Sequence, residues 1–502
     1  MLKLNDLLHD LVLIPEQDDI AVTGLALDSR VVVSGNAFIA LAGAKQHGMA
    51  HVEQAINNGA SVVIFDPAGD RVQTNLLAQE RINSSAHIPM IAVDNLGLNL
   101  GKLAARFYGD PSRFMTVIGI TGTNGKTSCS QFLSQMLEDC GIIGTLGWGE
   151  WGQLCQTQNT TPDALEIQRI LAELHKNKKH TVAMEVSSHG LNQGRVNGVI
   201  FRGAVFTNIS RDHLDYHGTM DAYVKAKLAL LKMPDLAFAV VNLDDIYSEQ
   251  IIAAVPESVS LWQFSANGKK TNSGECVNAQ NIRPSLAGIE VDLSWRDQIQ
   301  RIKVPLFGDF NVENVLAVLA VMLAMDISLP EAGKKIGKIK PVEGRMERFG
   351  TEVDPLVFVD YAHTPDALDK VLSSLRKHCK QDLWVVFGCG GNRDAGKRAQ
   401  MGEIAERWAD HVVITDDNPR YENGLDIVKD ILAGCSSAKV DVIQNREQAI
   451  QKVISSAAKN DCIVIAGKGH EQYQESNGVQ LPFSDRLVVM DALNKRKDQD
   501  VQ

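Results

Sequence analysis

The chain has 502 residues, 44% of them hydrophobic and 22% charged, an ordinary balance for a soluble globular protein. Because single cores rarely grow past about 250 residues, this length predicts about three domains. The net charge of −11, from 50 basic and 61 acidic residues, argues against a general nucleic-acid surface, so an anionic ligand must be met by local positive charge and backbone N–H groups.

The N-terminal MLKLNDLLHDL carries Asp6 and Asp10 and lacks a signal peptide's basic start and small-residue cleavage site. No apolar run approaches the roughly 20 residues needed to span a bilayer. Eight cysteines show neither zinc-ligand spacing nor a disulfide-dense block, so reduced thiols in a cytoplasmic protein are expected. From residue 1 to about 90, short strands (AVTGLALDSR, GNAFIAL, ASVVIFD) and a helical stretch near 49–58 predict a small α/β domain, 1–90, without a nucleotide fingerprint. PMIAVDNL and a helix over 95–108 then open a second domain, 91–338. Within it VIGIT, TVAMEVS, GAVFTNI and FAVVNLDD alternate with helical segments from 126 and near 220–232. That order belongs to a doubly wound sheet with ligand groups at strand carboxyl ends. Residues 258–306 alternate in period two, as antiparallel strands do, and a helix from Asn311 closes the domain. In a third domain, 339–502, LVFVDYA, LWVVFGC, HVVITDD and DCIVIAG predict a second parallel sheet, and the tail NKRKDQDVQ reads as a frayed end. The expected fold class is α/β in three domains: a small N-terminal module, a central P-loop ATPase-type sheet and a C-terminal Rossmann-like domain.

Residues 117–128, VIGITGTNGKTS, carry the clearest chemistry. After a buried strand, Gly122, Thr123, Asn124 and Gly125 allow the backbone to fold around an anion. Lys126 supplies charge, and Thr127 at a helix N-terminus is placed to ligate magnesium. Ile120 stands where the standard phosphate loop has its first glycine, so the pattern is G-x-x-G-K-T, and a glycine turn with a surface lysine is the competing reading. Glu185 ends an apolar strand, as a magnesium ligand or as a cap. His213 follows the next strand beside Asp212 and Asp215. Histidine on magnesium is unusual, which favours a hydrogen-bonding role on chemistry alone.

Taken in order, GTNGKT, NTTPD, MEVSSHGL, NISRDHLDYHG, FGDFNVENVLA, EGRMERF, DYAHTPDAL and GKGHEQYQ resemble the Mur ligases over nearly the whole chain. These are ATP-dependent enzymes that build the peptide of bacterial cell-wall precursors. The likeness is greatest to the branch that extends UDP-N-acetylmuramoyl-L-alanyl-D-glutamate by a third residue. The resemblance implies that a substrate carboxylate attacks the ATP γ-phosphate to give an acyl phosphate, which an incoming amine then displaces. It makes Glu185 and His213 magnesium ligands together with Thr127, and selects Lys227 over Lys225 as a carbamylated lysine that binds a second magnesium ion. Asn311, and less clearly Asn314, would contact the nucleotide, although asparagine there could equally be an N-cap. Arg345, Asp360 and His363 would close over ATP, a linker arginine in a surface ion pair being the plainer alternative. Leu27, Ser29, Ala44, Lys45 and Gln46 map to the uridine diphosphate end, and Asn159, Thr160, Thr161, Ser187, Gln193 and Arg195 to the sugar and peptide end.

Asp417, Asn418, Pro419 and Arg420 end a third-domain strand. In this family D-N-P-R accompanies meso-diaminopimelate, and lysine-adding relatives lack the arginine. An Arg fork holds a second carboxylate bidentately but repels lysine's ammonium. Arg393, Gly467 and Glu471 match the remaining amino-acid contacts. Two departures from the family pattern stand out: Asn392 where Asp is common, and YENG after DNPR where an acidic-Pro pattern is common. GCGGNRDAG lacks the spacing of a dinucleotide fingerprint. The expected ligands are the UDP-sugar dipeptide, diaminopimelate, ATP and magnesium, with no nucleic acid, no membrane insertion and a monomeric chain. The competing readings are a lysine-adding ligase, a folylpolyglutamate synthetase, and a nucleotide-switched binding protein that forms no amide.

Overall fold

The structure is a computed structural model and describes residues 1–43, 46–68, 88–271, 273–285, 287–351, 353–436 and 440–500. Two compact units divide the chain, the first comprising Met1–Gly119, Asp139–Arg202 and Met233–Leu236, the second Ile120–Glu138, Gly203–Lys232 and Ala237–Gln502.

In the first unit, strands Gly24–Ala26, Asn36–Ala40, Val62–Phe65 and Met90–Ala92 form a parallel sheet in that order. Its middle strands are buried throughout, so they read as unbroken apolar runs. Successive side chains still alternate. Ala37, Ile39, Val62 and Ile64 face the core of Leu4, Leu7, Leu100 and Leu103, while Phe38, Ala40, Val63 and Phe65 face Met49, Val52 and Ala55. Strand Thr181–Glu185 pairs in parallel with Cys140–Gly144, which continues into an antiparallel hairpin.

In the second unit, Phe201–Phe206, Phe238–Asn242 and Ser260–Ser265 run parallel, and Glu275–Ser285 joins them in the same sense. Within 258–306, Gly288–Trp295 pairs antiparallel with both Glu275–Ser285 and Gln298–Val304, whereas Ser260–Ser265 is parallel to its neighbours, so the expectation for this segment is corrected at its first strand. Period-two alternation reports one buried face and carries no information on strand direction. A second sheet has the order Glu347–Phe349, Leu356–Asp360, Cys462–Ala466, Leu383–Phe387, His411–Ile414, Val440–Val442, parallel except for its first strand. Both of its faces are covered by apolar clusters. The tail is not frayed where described: helix Asp485–Asp500 buries Val489, Ala492 and Leu493, a stripe at helical spacing. Arg496 extends the anchoring by donating to the Ala457 carbonyl at 2.7 Å. Among the described residues no helix is long and apolar enough to cross a membrane.

Candidate active site

The buried strand Thr116–Thr121 delivers the loop 122–125, and helix Lys126–Met136 starts directly after it. Gly122 and Gly125 have φ of +148° and +85°. A Cβ would collide with Thr207 Oγ1 at the first and Asn314 Oδ1 at the second, so the loop demands glycine twice over. The segment after strand Phe201–Phe206 clamps it: Asn124 N–H donates to Asn208 Oδ1 at 2.9 Å, Thr207 Oγ1 donates to the Asn124 carbonyl at 2.6 Å, and Thr123 N–H donates to the Asn208 carbonyl at 2.7 Å.

The Gly122 carbonyl accepts from two lysines, Lys126 Nζ and Lys227 Nζ, each at 2.8 Å, and Lys126 also donates to the Thr123 carbonyl at 2.9 Å. Lys227 is 1% exposed, with Nζ 4.5 Å from the Tyr223 ring centroid, whereas Lys225 lies exposed two residues earlier on the same helix. Burial, reinforced by the Lys126 charge, holds the Lys227 pKa well below the usual lysine range despite the opposing pull of Asp212. The shift disfavours the ammonium form. His213 begins helix Leu214–His217 at φ +53°, with Nε2 3.4 Å from Asp212 Oδ2. Burial lowers its pKa against that carboxylate, which favours the neutral imidazole. Asn311 and Asn314 are buried at the start of helix Phe310–Ala324: Asn311 Nδ2 donates to the Phe307 carbonyl at 2.7 Å and Asn314 Nδ2 donates to Asn311 Oδ1 at 3.0 Å. Neither side chain caps the helix.

Arg345 reaches the first turn of the helix that follows the loop and is no surface ion pair. Its Nη2 donates to Thr127 Oγ1 at 3.2 Å, and its guanidinium carbon lies 4.6 Å from the Tyr361 ring centroid. Both oxygens of buried Asp360 are taken by backbone, Met346 N–H at 2.7 Å and Ala362 N–H at 2.8 Å, so this carboxylate braces the turn carrying Arg345. Burial raises its pKa, opposed by Arg345. His363 is partly buried, with Nδ1 2.8 Å from the Tyr361 carbonyl, and desolvation lowers its pKa. The sequence reading missed Asp366, in the first turn of helix Pro365–His378. Its Oδ2 accepts from Asn124 Nδ2 at 2.8 Å and Ser210 Oγ at 3.1 Å, so it ties the phosphate loop to this helix.

In the first unit, Glu185 is fully buried at its strand end, its oxygens accepting Thr145 N–H at 3.0 Å and Thr145 Oγ1 at 2.9 Å. Thr145 Oγ1 lies 3.0 Å from Thr160 Oγ1. Thr161 is a hub: its hydroxyl donates to the Glu185 carbonyl and accepts Ser187 N–H, both at 2.9 Å, while its carbonyl accepts Arg195 Nη1 at 2.8 Å. Arg195 Nε donates to Gln193 Oε1 at 2.9 Å, and Ser187 Oγ caps the following helix through Gly190 N–H. Thr160, Thr161, Ser187, Gln193 and Arg195 are thus brought together, with Asn159 exposed beside them. Leu27 packs on the N-terminal core and Ser29 donates to Gln54 Oε1 at 2.7 Å. Gln46 is exposed, and Ala44 and Lys45 lie outside the described residues.

The C-terminal sheet gathers the last group at its strand carboxyl ends, where open α/β sheets place ligands. Arg420, at φ +53°, donates from Nη1 to the Gly391 carbonyl at 2.9 Å and has Nε 3.4 Å from Glu475 Oε2. Gly390 accommodates two arginines, since a Cβ there would meet Arg420 Nη1 at 2.8 Å and Arg393 Cγ at 3.9 Å. A Cβ at Gly467, φ +115°, would lie 2.6 Å from Asp417 Oδ2. Asn418 Nδ2 donates to Glu471 Oε2 at 2.9 Å, and Pro419 separates it from Arg420. The two departures noted above touch each other. Asn392, at φ +52°, accepts Tyr421 N–H at 3.1 Å and donates its own N–H to Glu422, so Asn and YENG form one local unit.

Three family models match in order: the "Mur ligase family, catalytic domain" over 21–108, the "Mur ligase middle domain" over 120–322 and the "Mur ligase, glutamate ligase domain" over 344–469. A UDP-N-acetylmuramoyl-L-alanyl-D-glutamate--2,6-diaminopimelate ligase of Alkalilimnicola ehrlichii is 43% identical, covering 99% of this chain and 100% of that protein. The chain belongs to the Mur ligase family. A Pseudomonas aeruginosa protein of the same name is 46% identical over 93% of this chain and 94% of its own length. A solved structure of a ligase so named superposes with a TM-score of 0.69 at 34% identity, covering 99% of both chains. A Mycobacterium tuberculosis folylpolyglutamate synthase complexed with ADP and AMPPCP shares the fold, with a TM-score of 0.61 at 18% identity over 79% of this chain and 96% of that one.

Proposed function

We propose that this Mur ligase adds meso-diaminopimelate to the γ-carboxylate of D-glutamate in UDP-N-acetylmuramoyl-L-alanyl-D-glutamate, consuming ATP in the cytoplasmic assembly of peptidoglycan precursors. The carrying observation is Arg420 and Glu471 joined in one network by Asn418 and Glu475 at the carboxyl ends of the C-terminal sheet. Such a pair offers a fork for a distal carboxylate and an acceptor for an ammonium, the two charges of one amino-acid centre. The near full-length relatives named for diaminopimelate support the same choice.

In the mechanism this reading implies, the phosphate loop holds the ATP γ-phosphate with backbone N–H groups and Lys126, while Arg345, braced by Asp360 and stacked on Tyr361, adds charge from the side. The carboxylate attacks the γ-phosphorus, ADP leaves, and the amine displaces phosphate from the acyl phosphate. Two anions meet here, so fixed cations and positioning supply the catalysis and a protein nucleophile is not required. Among the described residues no group of three or more His, Cys, Asp or Glu side chains forms a ready-made metal cage. Magnesium commonly takes one or two carboxylates and completes its shell with phosphate oxygens and water. Thr127, His213 and carbamylated Lys227 suit that sparse donor set and are proposed as its ligands, the metal supplying charge neutralisation at the phosphates when bound; Glu185 is proposed as a ligand on the resemblance to the family alone. Leu27, Ser29, Gln46 and the Thr161 network are proposed for the UDP-sugar dipeptide.

The test is phosphate release from ATP and magnesium with the UDP-sugar dipeptide and either meso-diaminopimelate, L-lysine or no amino acid. Release with diaminopimelate alone is expected; release with lysine alone would overturn the specificity, and release with neither would reopen the folate and switch readings. Arg420→Lys should raise KM for diaminopimelate roughly 10- to 100-fold, as the loss of a charged bidentate contact of about 1.5–3 kcal/mol predicts, with KM for ATP unchanged. Equal losses for both would make Arg420 a structural residue.

A further inference from the structure

Lys468 follows Gly467 at the end of strand Cys462–Ala466 and is completely buried, yet the proposed chemistry makes no use of it. A buried ammonium is costly unless its hydrogens find acceptors and its charge a partner. Lys468 Nζ donates to Asn418 Oδ1 and Glu471 Oε2, both at 2.9 Å, and lies 5.6 Å from the Tyr473 ring centroid. Asn418 Nδ2 donates to the same Glu471 Oε2 at 2.9 Å, and Glu475 N–H donates to Asn418 Oδ1 at 2.9 Å. This arrangement leaves the Asn418 amide one orientation, because a flip would turn its NH2 toward the ammonium and the Glu475 N–H. It also commits Glu471 Oε2 to the protein, with two donors on that one oxygen.

We propose that Lys468 is the positioning residue of the amino-acid site: without touching the ligand, it locks Asn418 and Glu471 in the orientation that receives the incoming amino acid's ammonium. The inference rests on the reading of this cluster as the amino-acid site. Part of the Glu471 charge is spent on Lys468, so the cavity keeps a polarised acceptor without a strong net negative field. Such a field would favour any cation over a zwitterionic centre. Lys468 thereby works with Arg420, which supplies the opposite half of the recognition.

The experiment is steady-state phosphate release by wild-type protein, Lys468→Met and Lys468→Arg, with KM determined separately for diaminopimelate, ATP and the UDP-sugar dipeptide. Lys468→Met should raise KM for diaminopimelate about tenfold or more, in keeping with loss of charged hydrogen bonds, while kcat and the other two KM values stay within about twofold. Lys468→Arg should recover part of the loss. Asn418→Asp removes the Nδ2 donor without vacating the ammonium and should shift the same KM, which keeps the test open if Lys468→Met does not fold. Unchanged KM for the amino acid, or a loss shared equally by all three substrates, overturns the proposal. Wild-type protein that releases no phosphate with diaminopimelate overturns the site reading itself, and the proposal with it.

Discussion

Lys126→Ala should lower phosphate release by about 10³-fold or more, with ATP binding weakened and the fold retained. Removing a single preorganised donor from a developing oxyanion costs 10²–10³-fold, and Lys126 contributes a full charge where an attacking carboxylate meets a polyphosphate. The structural cost is small by comparison. Lys126 Nζ bonds the Gly122 and Thr123 carbonyls, and Gly122 keeps its bond from Lys227 when Lys126 is lost. Each such bond contributes about 1 kcal/mol, too little to unfold a chain of this size. Phosphate release, ATP calorimetry and a thermal melt on the same sample separate these effects. Turnover within tenfold of wild type would remove the loop from the phosphoryl chemistry.

The loop was readable from sequence because its requirements are local. Gly122 and Gly125 occupy backbone conformations that side chains avoid, and a β-branched strand and a helix flank them in the order that the chemistry needs. The strands of the C-terminal sheet were readable for a similar reason, being short apolar runs buried on both faces. What the sequence left open depends on partners far along the chain. Asp366 sits inside DYAHTPDAL, but its acceptor role requires Asn124, 242 residues away. Two lysines stand in AYVKAKLAL with equal local chemistry, and only the packing around Tyr223 buries Lys227 and exposes Lys225. Lys468 stands in GKGHE beside the contact residues Gly467 and Glu471, and a lysine there reads as solvated until its burial is known. Asp360 was expected to face ATP, yet both its oxygens close on backbone, a choice that the sequence DYAH cannot display. The parallel strand Ser260–Ser265 belongs to the same class: its alternation was visible, its direction was not.

Lys227→Ala should reduce phosphate release by about 10²–10³-fold, and a short carboxylate such as acetate or formate added to the assay should restore part of it. Burial and the neighbouring Lys126 charge lower the Lys227 pKa and so favour the uncharged amine, the form that attacks carbon dioxide: an N–C bond forms as a C–O π bond opens, a proton leaves, and the product is a carbamate anion. The interaction with Lys126 then changes sign, since the charge that repels an ammonium attracts a carbamate. The same cluster therefore disfavours the protonated lysine and favours its modified form, and the anion so made is an oxygen donor suited to magnesium. Alanine leaves room that a small carboxylate fills with the same charge and donor type. Lys227→Arg distinguishes this from a simple need for positive charge, because arginine keeps the cation and cannot be carbamylated; it should be as inactive as alanine and resistant to rescue. A carbonyl-region signal from protein equilibrated with carbon-13 bicarbonate, absent in both variants, is the direct observation. Full activity of Lys227→Arg, or no labelled signal in the wild type, would mean that the buried lysine acts only through its hydrogen bond to Gly122.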